Sequence, residues 1–176
     1  MEDKNVFSIN ENEVMNFYKL KGGLGKLRLR SKILRSWFLH KSAFSSINSS
    51  WVIKLQRSRG VKIGKNCHFS PYVLIDLIYP GMISIGNNVT IGSNTMIFAH
   101  YNPTANKFLK ENGYPREVKQ VTINDGAVIG PGSIITMGTT IGKNSIIGAG
   151  SVVSNTIPDF SVALGNPARV IKKINL

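Results

Sequence analysis

Aliphatic residues return at every sixth position along the second half of the chain. The longest run on this step consists of Ile123, Ile129, Ile135, Ile141, Ile147 and Val153. Two shorter runs precede it, one of Ile63, Phe69 and Ile75 and one of Ile85, Ile91 and Ile97. A helix would place apolar residues near a 3.6-residue period, and a half-buried strand would alternate them at every second position. The six-residue step therefore predicts very short strands separated by tight corners.

Glycine and other small residues keep a fixed phase within these repeats. Glycine directly follows the aliphatic residue at Gly64, Gly86, Gly92, Gly130, Gly142 and Gly148. Four positions after the aliphatic residue, a small or β-branched residue stands at Val89, Thr95, Ala127, Ser133, Thr139, Ser145 and Ser151. Glycine and asparagine tolerate the left-handed backbone that tight corners need.

This pattern resembles the hexapeptide-repeat family, in which three hexapeptides form one coil of a prism with a triangular section. The resemblance implies a mainly β fold, a left-handed parallel β-helix whose aliphatic residues point into the prism. The residues outside the regular repeat add two elements to this prediction, an N-terminal helical segment and a long inserted loop.

The phase of the repeat is interrupted twice. The step from Ile75 to Ile85 is ten residues, which predicts a small bulge over 76–82. The step from Ile97 to Ile123 is 26 residues, and two regular steps account for only 12 of them, so 14 surplus residues form a loop over 100–119. The chain accordingly divides into a basic, partly helical N-terminal segment (1–60), the β-helix with its loop (61–157) and a C-terminal tail (158–176). Insertions at the corners of a solenoid often carry function.

Positive charge is concentrated at the front of the chain. Lys and Arg number 22 against 9 Asp and Glu among 176 residues, a net charge of +13, and residues 1–65 hold 14 of the basic and 4 of the acidic side chains. A helical stripe of Leu27, Leu34 and Phe38 lies among these cations. The segment is interpreted first as a solvated cap on the β-helix and second as a contact to an anionic membrane surface. Nucleic acid ranks last, because no nucleic-acid motif accompanies the charge.

The compartment indicated by the sequence is the cytoplasm. Cys67 is the only cysteine, so no intrachain disulfide forms. The N-terminus lacks the basic and apolar regions of a secretory signal, and no apolar run approaches the length needed to cross a bilayer. A peripheral position at the inner face of the membrane stays open, given the basic segment.

His100 is the strongest candidate for a catalytic residue. It ends a predicted strand and opens the long loop, with Pro103 and the Lys110–Gly113 segment following it. This stretch resembles the catalytic loop of galactoside and maltose O-acetyltransferases, and the resemblance implies that His100 is the general base. Imidazole titrates near neutral pH and so suits the removal of a proton from a weakly nucleophilic sugar hydroxyl.

The acceptor-binding residues are expected beside this histidine. The resemblance implies Asp76, in the predicted bulge, as an acceptor-binding acid, and Tyr101 and Asn102 stand next to His100 in the sequence. Asp76 is interpreted as accepting hydrogen bonds from sugar hydroxyls or as orienting His100, and the alternative is an aspartate that only caps a turn.

The donor site is expected at the end of the β-helix. The Gly165–Ile171 segment resembles the ending that follows the last coil in relatives that use acyl-CoA, which implies that Arg169 meets the nucleotide end of coenzyme A. Lys172 is a second candidate for the phosphates, because a guanidinium or an ammonium group suits them. Gly148, Ala149 and Ser151 would form the wall along the pantetheine arm, although the repeat itself also requires small residues there.

These features predict an acetyl-CoA-dependent O-acetyltransferase that acts on a saccharide or glycoconjugate, such as a cell-surface polysaccharide or its precursor. The family resemblance implies a homotrimer and direct transfer in a ternary complex, without a metal. One alternative is an N-acetyltransferase of an amino-sugar nucleotide or a xenobiotic. Another is a non-catalytic β-helix binding module whose basic N-terminus binds a membrane or a polyanion.

Overall fold

The protein begins with three helices. The computed structural model describes the backbone of residues 2–175 and the side chains of residues 6–175. The helices are α1 (Glu2–Phe17), α2 (Gly22–Phe44) and α3 (Ser49–Arg59). The Asn48 side chain caps α3 by accepting a hydrogen bond from the Trp51 amide, and Gly60 ends the helix with a left-handed φ of 108°. The segment predicted as partly helical is therefore helical along most of its length.

Short strands follow, and nearly all of those in the coils are two residues long. In chain order they are β1 (Lys62–Ile63), β2 (His68–Phe69), β3 (Leu74–Ile75), β4 (Ile83–Ile85), β5 (Thr90–Ile91), β6 (Met96–Ile97), β7 (His100–Tyr101), β8 (Glu117–Val118), β9 (Val121–Ile123), β10 (Val128–Ile129), β11 (Ile134–Ile135), β12 (Thr140–Ile141), β13 (Ile146–Ile147), β14 (Val152–Val153), β15 (Ser161–Gly165) and β16 (Ala168–Lys173). A 3₁₀ turn, Pro80–Met82, lies in the predicted bulge, and a short helix, α4 (Lys107–Glu111), lies in the long loop.

The coil strands form three parallel sheets. Their orders are β1-β4-β9-β12, β2-β5-β10-β13 and β3-β6-β11-β14, so each strand pairs with the strand one coil away. The register keeps equivalent repeat positions side by side, as in Ile75 beside Ile97 and Ile97 beside Ile135. Three hexapeptides therefore complete one coil, and the predicted left-handed parallel β-helix is confirmed.

The six-residue pattern fills the interior of this prism. The aliphatic and aromatic positions from Phe69 to Val153 are at most 3% exposed: Phe69, Ile75, Ile85, Ile91, Ile97, Ile123, Ile129, Ile135, Ile141, Ile147 and Val153. The third residue after the aliphatic position has a positive φ at Asn66, Asn88, Asn94, Gly126, Gly132, Gly138, Asn144 and Gly150. Asparagine and glycine occupy these eight corners because they adopt the left-handed backbone at little cost. The corner after Phe69 is the exception, since Tyr72 takes a φ of 65° there.

The C-terminal segment has more structure than the predicted tail. β15 and β16 form an antiparallel hairpin, and β15 pairs in parallel with β13. The hairpin thus extends one sheet of the prism and covers the end of the last coil.

The apolar stripe predicted on α2 exists but points away from the β-helix. Leu27, Leu34 and Phe38 are 64–65% exposed. The buried side of α2, which faces the rest of the chain, consists instead of Gly25, Leu29, Ser36, His40 and Ala43. None of the helices within residues 2–175 has the length and apolar character needed to span a membrane.

Candidate active site

The two interruptions of the repeat meet at one corner of the prism. β3 and β6 are parallel neighbours with Ile75 beside Ile97. Asp76 directly follows β3, and His100 lies three residues after Ile97, in the first strand of the long loop. The stacking of the coils therefore brings the two side chains together, and the Asp76 Oδ2 atom lies 2.5 Å from His100 Nδ1.

The Asp76 carboxylate is buried and fully engaged. Its Oδ1 accepts hydrogen bonds from the amides of Ile78 (2.9 Å) and Tyr79 (3.0 Å), and its Oδ2 accepts one from the Ala99 amide (3.0 Å) besides that of His100. Burial works to raise the pKa of this carboxyl, but the hydrogen bonds from His100 and the backbone amides outweigh it and lower the pKa. Of the roles that the sequence left open, this geometry supports the orientation of His100, because both oxygens are occupied within the chain.

The geometry of His100 selects one tautomer of the imidazole. In the neutral tautomer whose Nδ1 donates to the Asp76 carboxylate, Nε2 is the nitrogen that can accept a proton. The side chain is 22% exposed, so the ring is held in place while part of it faces solvent. The ring of Tyr79, itself fully buried, packs against the imidazole at 5.0 Å between ring centres. Tyr79 therefore packs beside the imidazole, a contact that no pattern in the sequence had indicated.

The long loop is anchored by α1. The Glu13 carboxylate accepts hydrogen bonds from Lys110 Nζ (2.8 Å) and Arg116 Nε (2.9 Å). Burial works to raise the pKa of Glu13, while these two cations lower it and prevail. Arg116 also donates to the Tyr79 hydroxyl (3.1 Å). The basic side chains of the loop thus hold it against α1 and the residue that packs on His100.

The two predicted acceptor-binding residues next to His100 differ in placement. Tyr101 is 43% exposed. Asn102 turns toward α1, where its Nδ2 donates to the Asn10 side chain (3.0 Å). Within the part of the chain that the structure describes, the buried Asn102 Oδ1 has no hydrogen-bond partner.

Arg59, at the end of α3, supports the site from the other side. Arg59 is 7% exposed, and its guanidinium donates to the carbonyl oxygens of Ile75 (3.2 Å) and Asp76 (2.6 Å). It also donates to Ser36 Oγ (3.1 Å) and to His40 Nδ1 (3.0 Å). Burial lowers the pKa of Arg59 to about 10, against the opposing effect of Asp76. Burial, and then the charge of Arg59, lower the pKa of His40 to about 4.

The predicted donor-site residues gather at the other end of the β-helix. Gly148 and Ala149 lie at the corner between β13 and β14, and Ser151 Oγ donates to the Gly148 carbonyl (2.6 Å). Ser151 is buried and also accepts a hydrogen bond from the Gly165 amide (3.2 Å), so its side chain joins the last coil to the hairpin. A side chain at position 148 would lie 2.8 Å from Leu164 Cβ, which explains why glycine is needed there.

Arg169 and Lys172 lie exposed on β16 of this hairpin. Among residues 6–175 no carboxylate forms an ion pair with either, so both cations are available to an anionic ligand. No hydrogen bond between described side chains joins this group to His100. The same described residues contain no group of three His, Cys, Asp or Glu side chains placed to hold a metal ion.

Comparison with known proteins relates both the repeat and the whole chain to acetyltransferases. Family models described as "Bacterial transferase hexapeptide (six repeats)" and "Hexapeptide repeat of succinyl-transferase" match residues 120–155 and 82–99. The galactoside O-acetyltransferase of Escherichia coli is 32% identical over 181 residues, covering 87% of this chain and 82% of that enzyme. Two further relatives are a putative acetyltransferase of Bacillus subtilis and a galactoside O-acetyltransferase of Lactococcus lactis. The match with this chain covers only 59% and 55% of their respective lengths.

Solved structures agree with this relationship. A maltose O-acetyltransferase from Clostridium difficile superposes with a TM-score of 0.61 at 31% identity, over 84% of this chain and 89% of that one. A galactoside acetyltransferase in complex with coenzyme A superposes with a TM-score of 0.61 at 32% identity, over 84% of this chain and 82% of that one. Sequence and structure thus converge on the same group of proteins.

Proposed function

The chain belongs to the hexapeptide-repeat acetyltransferase family, and we propose that it transfers the acetyl group of acetyl-CoA to a hydroxyl group of a saccharide or glycoconjugate. The observation that carries this proposal is the Asp76–His100 pair, in which a buried carboxylate holds a partly exposed imidazole. The similarity to galactoside and maltose O-acetyltransferases supports the choice of a saccharide hydroxyl.

In the proposed mechanism His100 acts as the general base. Nε2 takes the proton of the acceptor hydroxyl while the hydroxyl oxygen attacks the thioester carbonyl carbon. The Asp76 carboxylate stabilises the imidazolium that forms, and a backbone N–H group stabilises the negative charge on the carbonyl oxygen. The tetrahedral intermediate then breaks its carbon–sulfur bond, and His100 returns the proton to the departing thiolate. Transfer is direct within a ternary complex, so no acyl-enzyme forms.

Coenzyme A is proposed to bind along the end of the prism. The exposed Arg169 would contact its phosphates through a planar pair of donors, with Lys172 next to it on the same strand. Gly148 and Ala149 would let the pantetheine arm approach the backbone closely, and Ser151 would shape that corner from within.

A homotrimer is proposed to complete the site, because the donor and acceptor residues of one chain lie apart. The outer surface of the prism supports subunit contacts, since Met96, Val128 and Ile146 are 38–40% exposed on its strands. In such an assembly the hairpin of one subunit would lie against the long loop of its neighbour. Holding both substrates between subunits would supply part of the rate enhancement.

The experiment is a thiol-release assay with acetyl-CoA and a panel of galactosides, maltosides, oligosaccharides and amino sugars, followed by mass spectrometry of the products. We expect an added acetyl group that mild alkali removes, because an ester is labile where an amide is not. A product that resists alkali would identify an N-acetyltransferase and overturn the choice of a hydroxyl acceptor. Absence of acetyl-CoA binding in calorimetry at millimolar concentration would overturn the transferase proposal and favour a binding module.

A further inference from the structure

The outer face of α2 is apolar where a solvated helix would be polar. Leu27, Leu34 and Phe38 are each 64–65% exposed. At about 100° per residue these three side chains fall within a sector of roughly 40°. Leu29 and His40, which are buried, lie on the opposite side of the same helix. The stripe is therefore directed away from the protein and takes no part in its core.

This stripe continues into an apolar groove. Leu34 and Trp37 also line a cavity of about 530 Å³ between α1, α2 and the 77–78 segment. Phe7, on the α1 side of the groove, is 65% exposed. A contiguous apolar surface of this kind on a protein marks a place of interaction.

Positive charge borders the stripe on both sides. α2 contains six Lys and Arg residues and no acidic residue, and no acidic residue lies between Glu13 and Asp76. By the same helical spacing Arg28 and Arg35 fall on one side of the stripe, and Arg30 and Lys41 on the other. Arg30 shares its charge with Glu11 across a distance of 2.6 Å, but Arg28 and Arg35 are exposed without an ion pair among the described residues. The partner must therefore be anionic and must also accept apolar side chains.

We propose that this face of α2, defined by Leu27, Leu34, Trp37 and Phe38 with Arg28 and Arg35 beside them, docks on the surface of an anionic lipid bilayer. An apolar stripe between two rows of cations is the arrangement of a helix that lies in the membrane interface. Its leucine and aromatic side chains enter the boundary of the acyl chains, while the guanidinium groups meet lipid phosphates. A nucleic acid would match the cations but would leave Leu34 and Phe38 against water or phosphate.

The first test uses vesicles and the fluorescence of Trp37. The chain has two tryptophans, so Trp51→Phe leaves Trp37, on the docking face, as the single reporter. With vesicles of phosphatidylglycerol and phosphatidylcholine we expect a blue shift and co-flotation of the protein. Both should be lost with pure phosphatidylcholine vesicles and weakened at high salt, because the attraction to anionic headgroups is screened.

The second test separates the apolar and the charged parts of the face. Leu34→Gln and Phe38→Gln should abolish the blue shift, while Phe108→Gln, which removes a 70% exposed aromatic from the long loop, should leave it unchanged. Arg28→Gln and Arg35→Gln should each weaken partitioning roughly fivefold. Lys143→Gln, at an exposed corner of the prism, is the matched control for charge.

Two outcomes would overturn the proposal. One is equal binding to neutral and anionic vesicles, or none to either. The other is a change of oligomeric mass by light scattering in Leu34→Gln or Phe38→Gln, which would make this face a contact between copies of the chain. Neither readout depends on acetyl transfer, so the membrane contact and the catalytic proposal succeed or fail separately.

Discussion

The guanidinium group of Arg59 donates a hydrogen bond of 2.6 Å to the main-chain carbonyl oxygen of Asp76. The side chain of the same Asp76 holds His100. A residue of the helical segment thus fixes the backbone from which the carboxylate projects. The helices in this way support the Asp76–His100 pair as well as capping the prism.

Replacement of Arg59 should therefore impair catalysis and stability together. Arg59→Met leaves the carbonyls of Ile75 and Asp76 without their donor, and an unsatisfied buried polar group costs about 1–3 kcal/mol. We expect a lower melting temperature and a kcat reduced about tenfold, with an unchanged KM for acetyl-CoA, because a shift of Asp76 misplaces the base. Lys54→Met, at an exposed position of the same helix, is the control. An unchanged kcat in the folded Arg59 variant would limit Arg59 to a structural role.

Removal of the base should stop acetyl transfer without preventing donor binding. His100→Ala should reduce kcat by about 10²–10⁴, the usual contribution of a general base. Calorimetry should show acetyl-CoA binding as in the wild type. His68→Ala, which changes an exposed histidine on β2, should remain active. Turnover of His100→Ala close to that of the wild type would remove His100 from the role of base.

Arg169 should determine the affinity for the donor. Loss of a charge-assisted hydrogen bond costs about 1.5–3 kcal/mol, so Arg169→Ala should raise the Kd for acetyl-CoA about tenfold or more. Calorimetry on this variant and on Lys143→Ala, which removes a cation from a corner of the prism, separates a specific contact from a general charge effect. Equal affinity in the wild type and Arg169→Ala would place the phosphates elsewhere.

His40 should make the protein less stable in mild acid. The pKa of His40 is about 4 in the folded chain, against about 6.5 for an unfolded histidine. Between these values the unfolded state binds one more proton, so the free energy of unfolding falls by up to about 1.4 kcal/mol per pH unit as the pH decreases. Urea unfolding from pH 7 to 4 measures this slope.

His40→Gln is the variant that isolates this effect, because an amide oxygen can still accept the hydrogen bond of Arg59 but does not titrate. Its unfolding free energy should depend less on pH in the same range. Asp76 and Glu13, whose pKa values are lowered in the folded chain, lose their contribution to stability only as the pH falls below about 5, so the slope between pH 7 and 5 reports on His40. An identical slope in the variant would contradict the assignment to His40.

The anchor between α1 and the long loop should control the order of that loop. Glu13→Gln removes the charge that Lys110 and Arg116 share. We expect faster limited proteolysis within residues 103–115 and a lower kcat, because the loop begins at His100. Glu111→Gln, which affects only an exposed pair with Lys107, is the matched control. Equal proteolysis of the two variants would contradict the role of Glu13.

The prism could be predicted from the sequence because the same residue types recur at the same positions of each hexapeptide. The aliphatic residue points inward, and glycine or asparagine forms the left-handed corner in nearly every repeat. Ile129 and Gly132 therefore occupy the same structural positions as Ile147 and Gly150. His100 was selected because it stands where the regular phase stops and because its loop resembles that of galactoside and maltose O-acetyltransferases, and its role as the base stays a prediction.

The contacts between distant segments could not be predicted in this way. Arg59 looked like one cation among many in a basic segment, and only the docking of α3 on the first coil shows that it reaches the Asp76 carbonyl. On α2 the exposed stripe is more apolar than the buried face, where Ser36 and His40 belong to a polar network. Amphipathic spacing therefore located a helix but did not show which of its sides packs on the β-helix.

The position of Asp76 and His100 at one corner of successive coils has a consequence for how such a site can change. Each coil of a solenoid touches only the coils next to it. The coils beyond β11 therefore do not touch the coils that hold Asp76 and His100, and the spacing between these two side chains does not depend on how many such coils follow. Changes in the later coils would instead alter the corner and the hairpin where the donor is proposed to bind, so the two halves of the proposed site can vary independently along the prism.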